Sequence, residues 1–295
     1  MAGLKEIDRR RKSVRNTKKI TYAMKLVSAA KLRKAQEAVT RSRQYTDAIN
    51  GLLAQILQET GDGGFSHPLM QAHNEVKTIG FLVVGGGRGL CGGYNTNLNK
   101  KVDAFIKEKT ASGATASISY ILGKKPAEHY RRVKREYVKS YEKLGEDANT
   151  WPVDEVCQEL EQQFLDGKID ELYVIYTKFK SALSMTPTAD KLLPMDPSSL
   201  PAVSSTGAQG SGTTIFEPSA GEVFSALIPR IMRSKVRQAA LDAKASEQGS
   251  RMTAMENATK NATEIIYTLD LKYNKLRQSR ITAELLDIIG GAEAL

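Results

Sequence analysis

The stretch Val83–Asn95, VVGGGRGLCGGYN, is where this sequence comes nearest to chemistry, because Gly87, Arg88, Gly89, Leu90, Cys91 and Gly92 satisfy the spacing GxGxxG. The apolar run Ile79–Val84 before it reads as a buried strand, and Tyr94–Lys109 after it reads as a helix. A strand, a glycine turn and a helix N-terminus could bring backbone N–H groups against a pyrophosphate. Such a site also wants an acid about 20 residues on, at the end of the next strand, to hold a ribose hydroxyl. Here that strand ends Leu122-Gly123-Lys124-Lys125, without an acid, and no Gly-x-x-x-x-Gly-Lys-Ser/Thr cradle for a triphosphate exists in the chain. A lone GxGxxG is weak support for a cofactor. The plainer reading is a tight strand-to-helix turn, with no cofactor expected. His67, His73 and His129 are scattered without ligand spacing, and Cys91 and Cys157 have neither metal spacing nor the abundance of a disulfide scaffold. No metal site is expected, and the cysteine usage favours a reducing compartment.

The elements that would position this turn divide the chain into 1–60, 75–195, 196–221 and 222–295. Leu4 to about Leu57 has no Pro and a single Gly, with Leu4, Ile7, Val14, Leu32, Val39, Leu53 and Ile56 on a heptad-like frame. That predicts a long helix with a coiled-coil seam, although Arg11, Lys18, Thr21, Lys25, Ser28, Ser42 and Thr46 interrupt it. From 75 to 195, strands at Val76–Val84, Ala116–Leu122 and Glu171–Phe179 alternate with helices at Tyr94–Lys109, Pro126–Lys134 and Val153–Leu165, the pattern of an α/β sheet with crossover helices. A Pro-, Ser- and Gly-rich connection follows. The helical period returns from Glu222 to Ile289, where Pro229 should kink the helix, Gly249 weaken it and Gly290-Gly291 end it. At 1.5 Å per residue the two terminal helices would run about 80 and 100 Å, far beyond a compact 295-residue globule, so both are expected to project and to wind around each other antiparallel. The expected class is α/β: a long antiparallel coiled coil of N- and C-terminal helices plus a central Rossmann-like α/β domain.

Charge is concentrated at one end. Of the formal net charge of +10, residues 1–43 hold 14 Lys or Arg against Glu6, Asp8 and Glu37, so the rest of the chain is nearly neutral. A basic segment of this kind wants a polyanion or an acidic protein surface. No apolar run approaches the roughly 20 residues of a membrane span. The N-terminus has neither the apolar core of a secretory signal nor a transit peptide, which favours a bacterial protein.

Several motifs are specific. They are Leu4-Lys5-Glu6-Ile7 with Arg9-Arg10; Asn16–Thr21 through Ala23-Met24; Ala29–Arg33; Arg88–Gly92; Thr186-Pro187-Thr188 with Leu192-Leu193-Pro194; Arg251–Met255 with Asn257-Ala258-Thr259; Tyr273-Asn274 to Arg277-Gln278; Ile281-Thr282 with Glu284; and Gly290–Leu295. Together they resemble the γ subunit of the rotary proton-translocating ATP synthase, from one end of the chain to the other. The resemblance implies a central rotor shaft that couples proton-driven rotation of a c-subunit ring to ATP synthesis and hydrolysis on β subunits. It implies no catalytic residue in this chain. The implied partners are the α and β subunits of a catalytic hexamer, the ε subunit and the c ring, with membrane contact only through that ring, at the cytoplasmic face of a bacterial inner membrane.

Residue by residue, the resemblance puts Arg277, Gln278 and Thr282 beside a β-subunit loop that they hold and release, where the alternative is a solvated helix face. Met24 and Lys25 match the part of the N-terminal helix that meets β subunits, while Met24 could equally pack within the coil. Phe216, Glu217 and Pro218 match a region near the c ring, or scaffold the connection. Arg9, Arg10, Arg11 and Lys12 form a basic collar that, at about 100° per residue, points nearly all the way round its helix. At Gly86-Gly87 the family usually has Ser-Asp, which puts in doubt any contact made by that Asp. The competing reading of the basic segment, a nucleic-acid-binding coiled coil, calls for interleaved aromatics, and only Tyr22 precedes Tyr45. No nucleic-acid partner is therefore expected.

Overall fold

The computed structural model describes residues 2–60, 65–111, 113–182, 184–196 and 216–293. Most of the predicted connection, 197–215, lies outside them. The first helix, α1, spans Ala2–Thr60, and the last, α5, spans Ala220–Glu293. Between them come β1 (Thr78–Val84), α2 (Tyr94–Thr110), β2 (Thr115–Leu122), α3 (Lys124–Arg132), β3 (Tyr137–Tyr141), α4 (Val153–Leu165), β4 (Glu171–Ser181) and β5 (Ser184–Leu193). Contacts divide the chain into two compact units, Met1–Ala30 with Arg251–Leu295, and Lys31–Ser250.

In the second unit the strand order is β3-β2-β1-β4-β5. β1 pairs in parallel with both β2 and β4, β3 lies parallel outside β2, and β5 runs antiparallel to β4. Helical crossovers link the four parallel strands, as parallel strands require. β1 is buried at six consecutive residues, Ile79–Val84, which is what coverage on both faces demands. On one face Phe81, Val83, Ile118, Ile121 and Ile175 meet Leu98, Val102 and Phe105 of α2 and Tyr130 of α3. The ring of Phe105 stands edge-on to Phe81 and Tyr173, with centroids 6.2 and 5.1 Å away.

Two strands have no counterpart in the sequence reading, and both are sheet edges. β3 carries Lys139 and an exposed Val138. β5 contains Pro187, opposite Thr177, which an edge strand tolerates because one side of it needs no ladder. The terminal helix differs from expectation at its end: it includes Pro229 and runs on through Gly290-Gly291 to Glu293. Gly249 is a contact point: a Cβ there would lie 3.1 Å from the Met185 methyl and 3.6 Å from the Phe179 ring.

α1 and α5 also run antiparallel within this unit, with the Thr46 and Ser234 hydroxyls 2.7 Å apart. Asp242 of α5, its side chain 2% exposed, lies 3.6 Å from Arg43 of α1. Arg43 donates to the Phe179 carbonyl of β4 at 3.3 Å, so one guanidinium joins both helices to the sheet. Burial pushes the Asp242 carboxyl up to about 6, against the opposing pull of Arg43. A folded value above the unfolded one favours proton uptake by the fold, so Asp242 should add stability as pH falls from about 7 to about 4. In urea unfolding the wild type should gain on the order of 2 kcal/mol from this group over that window. Asp242→Asn should lose that pH-dependent gain while being no less stable near neutrality. An unchanged pH profile would rule the assignment out.

Candidate functional site: glycine turn and two-helix coil

The turn after β1 owes its shape to glycines outside the GxGxxG spacing. A Cβ on Gly85 would fall 2.4 Å from Pro126 Cγ and 2.7 Å from Leu98 Cδ2. Gly123, at φ +125°, would put a Cβ 2.5 Å from the Gly85 carbonyl oxygen. The close backbone approach is therefore between two segments of the protein, fixed by Gly85 N–H donating to Leu122 O at 2.8 Å and Lys125 N–H to Gly86 O at 3.0 Å. Within the motif, Gly87 and Gly89 face open space, and Gly92 adopts φ +55° beside Leu90 at +61°. Cys91 is buried, its thiol directed at the Arg88 carbonyl at 3.6 Å and accepting from the Asn95 amide at 3.1 Å. A Cβ at position 87 would meet nothing within 4 Å, whereas one at position 86 would fall 2.7 Å from the Asn95 amide oxygen.

The turn sits where strand order reverses, with β2 on one side of β1 and β4 on the other, the place where doubly wound sheets take nucleotides. Here α5 fills it. The Arg88 backbone N–H donates to Glu247 Oε1 at 3.3 Å, and the Tyr94 hydroxyl to the Ala243 carbonyl at 3.0 Å. The Glu247 side chain is 4% exposed. That carboxylate, also 3.7 Å from the Lys244 ammonium, takes the backbone N–H that a pyrophosphate would use, so the turn holds a helix. The Arg88 guanidinium reaches outward to Glu146 at 3.6 Å.

In the other unit, partner numbers fall along α5 as they rise along α1: Arg11 with Asp270 at 3.1 Å, Thr21 with Thr259 at 2.8 Å, Lys25 with Glu256 at 3.3 Å. The helices are antiparallel in one register. Thr21 and Ser28 are buried seam residues, so some of the polar interruptions read from the sequence are small hydroxyl contacts that let the helices close. Lys25 is largely committed to the coil, and Met24 is half-buried.

The four cations of the collar are not equivalent: Arg11 binds Asp8 at 2.7 Å and Asp270 at 3.1 Å and lies 4.3 Å over the Tyr273 ring, while Lys12 pairs with Asp8 at 2.8 Å. Only Arg9 and Arg10 point to solvent without an ion pair among the described residues. The spacing Asp8-Arg11-Lys12 was legible as helical i, i+3 and i, i+4 pairing, but nothing in the sequence marked Asp270 or Tyr273. The register brings the collar and Arg277-Gln278 to the same end of the coil and leaves Met24 and Lys25 farther along it. Arg277, Gln278 and Thr282 are exposed, and the Thr282 hydroxyl donates to the Gln278 carbonyl of its own helix at 3.0 Å. Ile281–Glu293 runs past the start of α1 and exposes Ile281, Leu285, Leu286, Ile288 and Ile289.

Of the connection residues, Phe216 is half-buried, and Glu217 and Pro218 are exposed. The aromatic packing there belongs instead to Phe65 on Phe224, centroids 5.4 Å apart.

The terminal helices pair antiparallel, and within the 31–250 unit the second of them covers the switch point of a doubly wound sheet, an α/β body joined to a two-helix coil. A profile of the ATP synthase family matches residues 3–295. Over 296 residues the chain is 40% identical to the ATP synthase gamma chain of Desulfitobacterium hafniense, and over 299 residues 39% identical to that of Moorella thermoacetica, with all of each chain covered. The fold is similar to a chain in the rotor of Euglena gracilis mitochondrial ATP synthase (TM-score 0.62, 17% identity, 94% of this chain and 98% of that one). It is also similar to a chain in the central stalk and c ring of the Tetrahymena thermophila enzyme (TM-score 0.56, 20% identity, 81% and 99%). The chain belongs to the ATP synthase gamma-chain family.

Two substitution pairs follow from these geometries. Gly85→Ala should destabilise the fold by about 1–3 kcal/mol through overpacking, whereas Gly87→Ala should stay within about 0.5 kcal/mol of wild type; equal effects in denaturant unfolding would contradict the account of the turn. In the coil, Arg11→Gln should lower thermal stability by circular dichroism and Arg10→Gln should not, since Arg11, with Arg15, holds Asp270 and Arg10 makes no ion pair among the described residues.

Proposed function

We propose that this chain turns as the central shaft of an ATP synthase, passing torque between a c-subunit ring and catalytic sites carried by β subunits. The observation that carries the reading is a full-length family match to a coil with apolar residues on its outer faces. Ile20, Tyr22, Leu26, Val27, Ile265, Tyr267 and Leu271 are all at least 46% exposed on the paired helices. A coil exposing this much apolar surface calls for a surrounding partner, and α and β subunits supply one. The ε subunit and the c ring are the further partners. In this reading 1–60 and 222–295 form the shaft, 75–195 the body and 196–221 the connection, whose Phe216, Glu217 and Pro218 face the c ring.

Among the described residues no helix is long and apolar enough to cross a membrane. Full-length bacterial relatives support a peripheral place on the cytoplasmic face of a bacterial inner membrane, with the c ring as the route to the bilayer. The nucleic-acid reading of the basic segment is dropped: the family match gives it no support, and Arg11, Lys12, Arg15, Lys25 and Lys31 already answer acids within the chain.

Arg277 and Gln278 have no side-chain partner among the described residues, which suits groups that meet a β-subunit loop once per turn by directional, charge-assisted bonds. Met24 and Lys25 supply the second contact, though Lys25 must release Glu256 to make it. The test is reconstitution with α and β subunits of a bacterial relative. ATP hydrolysis should need this chain, and a rod fixed to its α/β body should rotate. Replacing Arg277 and Gln278 together by Ala should slow hydrolysis severalfold with no change in the melting of the isolated chain. Normal turnover in that variant would remove these residues from the torque path, while a rod that fails to turn beneath an active hexamer would remove the shaft reading itself.

A further inference from the structure

We propose that a basic trough in the 31–250 unit, between α1, the loop 146–154 and α5, binds a nucleoside phosphate. It consists of two crevices, of about 720 and 270 Å³, that share Ala38, Arg41, Asp147 and Asn149. Both fall in or near the size range of small-molecule sites.

The larger crevice is lined by four arginines, Arg41, Arg230, Arg233 and Arg237. Its two carboxylates are already engaged. Asp154 is gripped by Arg237 through both oxygens at 3.1 and 3.0 Å, and Asp147 Oδ1 accepts from the Asn149 backbone and side-chain amides at 3.0 and 2.9 Å. Arg233 reaches Glu161 at 3.3 Å but keeps a buried Nε with no hydrogen-bond partner. Arg41 and Arg230 make no ion pair among the described residues. Planar guanidinium forks left in excess over carboxylates suit phosphate oxygens.

The smaller crevice differs in kind. Ala35, Ala38, Ala148 and Leu241 line it together with Lys34 and the amides of Asn149 and Gln248. Glu146 lines it as well, and Lys31 and Lys244 approach that carboxylate at 3.0 and 3.5 Å. An apolar slot edged by amides beside a cluster of arginines fits a heterocycle joined to phosphates. A bare phosphate would leave the slot empty, and a phosphatidylglycerol headgroup brings no heterocycle to fill it. The trough lies between α1 and α5 and adjoins the glycine turn at Glu146, which Arg88 approaches at 3.6 Å.

The experiment is calorimetric titration of the full chain with ADP and with pyrophosphate, alongside sedimentation with phosphatidylglycerol vesicles. ADP should bind saturably at millimolar concentration or below, and more tightly than pyrophosphate. The double variant Arg41→Gln, Arg230→Gln should weaken both by about tenfold or more, as loss of charge-assisted bonds predicts. Ala35→Leu, a good helix former that projects into the slot, should weaken ADP and spare pyrophosphate. Unchanged far-ultraviolet dichroism in each variant keeps misfolding from imitating the result. Absence of saturable ADP binding, or binding that neither variant alters, overturns the proposal. Equal affinity for pyrophosphate overturns the base slot. Vesicle binding without ADP binding, lost in the arginine variant, overturns the soluble ligand in favour of a lipid headgroup.

Discussion

The close approach of α5 to the sheet is the constraint on which the rest of the α/β body depends. Ala239, Ala240, Ala243, Ala245 and Ser246 are at most 1% exposed, and Gly249 leaves only van der Waals room beneath the helix. Side chains this small let the helix backbone sit on β4, where the Ser246 hydroxyl donates to the Thr177 carbonyl at 3.0 Å. Tyr94 can then reach Ala243, Arg88 can reach Glu247, and Arg43 can bridge Asp242 to the sheet. A larger residue in this stretch would raise the helix and lengthen all of these contacts together, because packed interiors do not absorb added volume locally.

The same approach explains why a pattern suited to a cofactor does mechanical work. The strand, turn and helix are arranged as in nucleotide-binding sheets, and the turn occupies the expected switch point. What differs is the neighbour. α5 brings a buried carboxylate to the backbone N–H that a phosphate would use, and the glycines that must be glycine, Gly85 and Gly123, serve contact between protein segments. Fold and function separate here at one residue, Glu247.

In the coil, stability and function pull in different directions. The seam is partly polar, its interhelical ion pairs are partly exposed, and such pairs are individually worth about 0–1 kcal/mol. Hydroxyl contacts at Thr21 and Thr259 and the Arg11–Asp270 bond set register more than they add strength. Apolar residues that would have closed a tighter zipper, such as Ile20, Leu26 and Ile265, instead face outward. A shaft gripped by successive partners needs this arrangement, in which the two helices know their register and much of the burial comes from outside.

By itself the sequence determined the elements whose signal is local. The 3.6-residue period of the terminal helices, the apolar run of β1, the crossover helices and the charge concentrated in 1–43 are properties of neighbouring residues, and α4 was bounded to the residue. Family motifs at both ends identified the class of protein. The edge strands β3 and β5 stayed hidden because one has a lysine in its middle and the other a proline, features tolerable only at an edge, and edges are defined by what lies beside them. Tertiary structure alone decided which cations are spent. Arg11 is held by an acid 259 positions away and Lys25 by Glu256, while Arg9, Arg10, Arg277 and Gln278 remain outward. It also decided that Glu247 closes the glycine turn and that four arginines from two helices line one crevice. The reason is common to all of these: a pairing across antiparallel helices depends on register, and register is set by the summed packing of many small contacts that no single stretch of sequence contains.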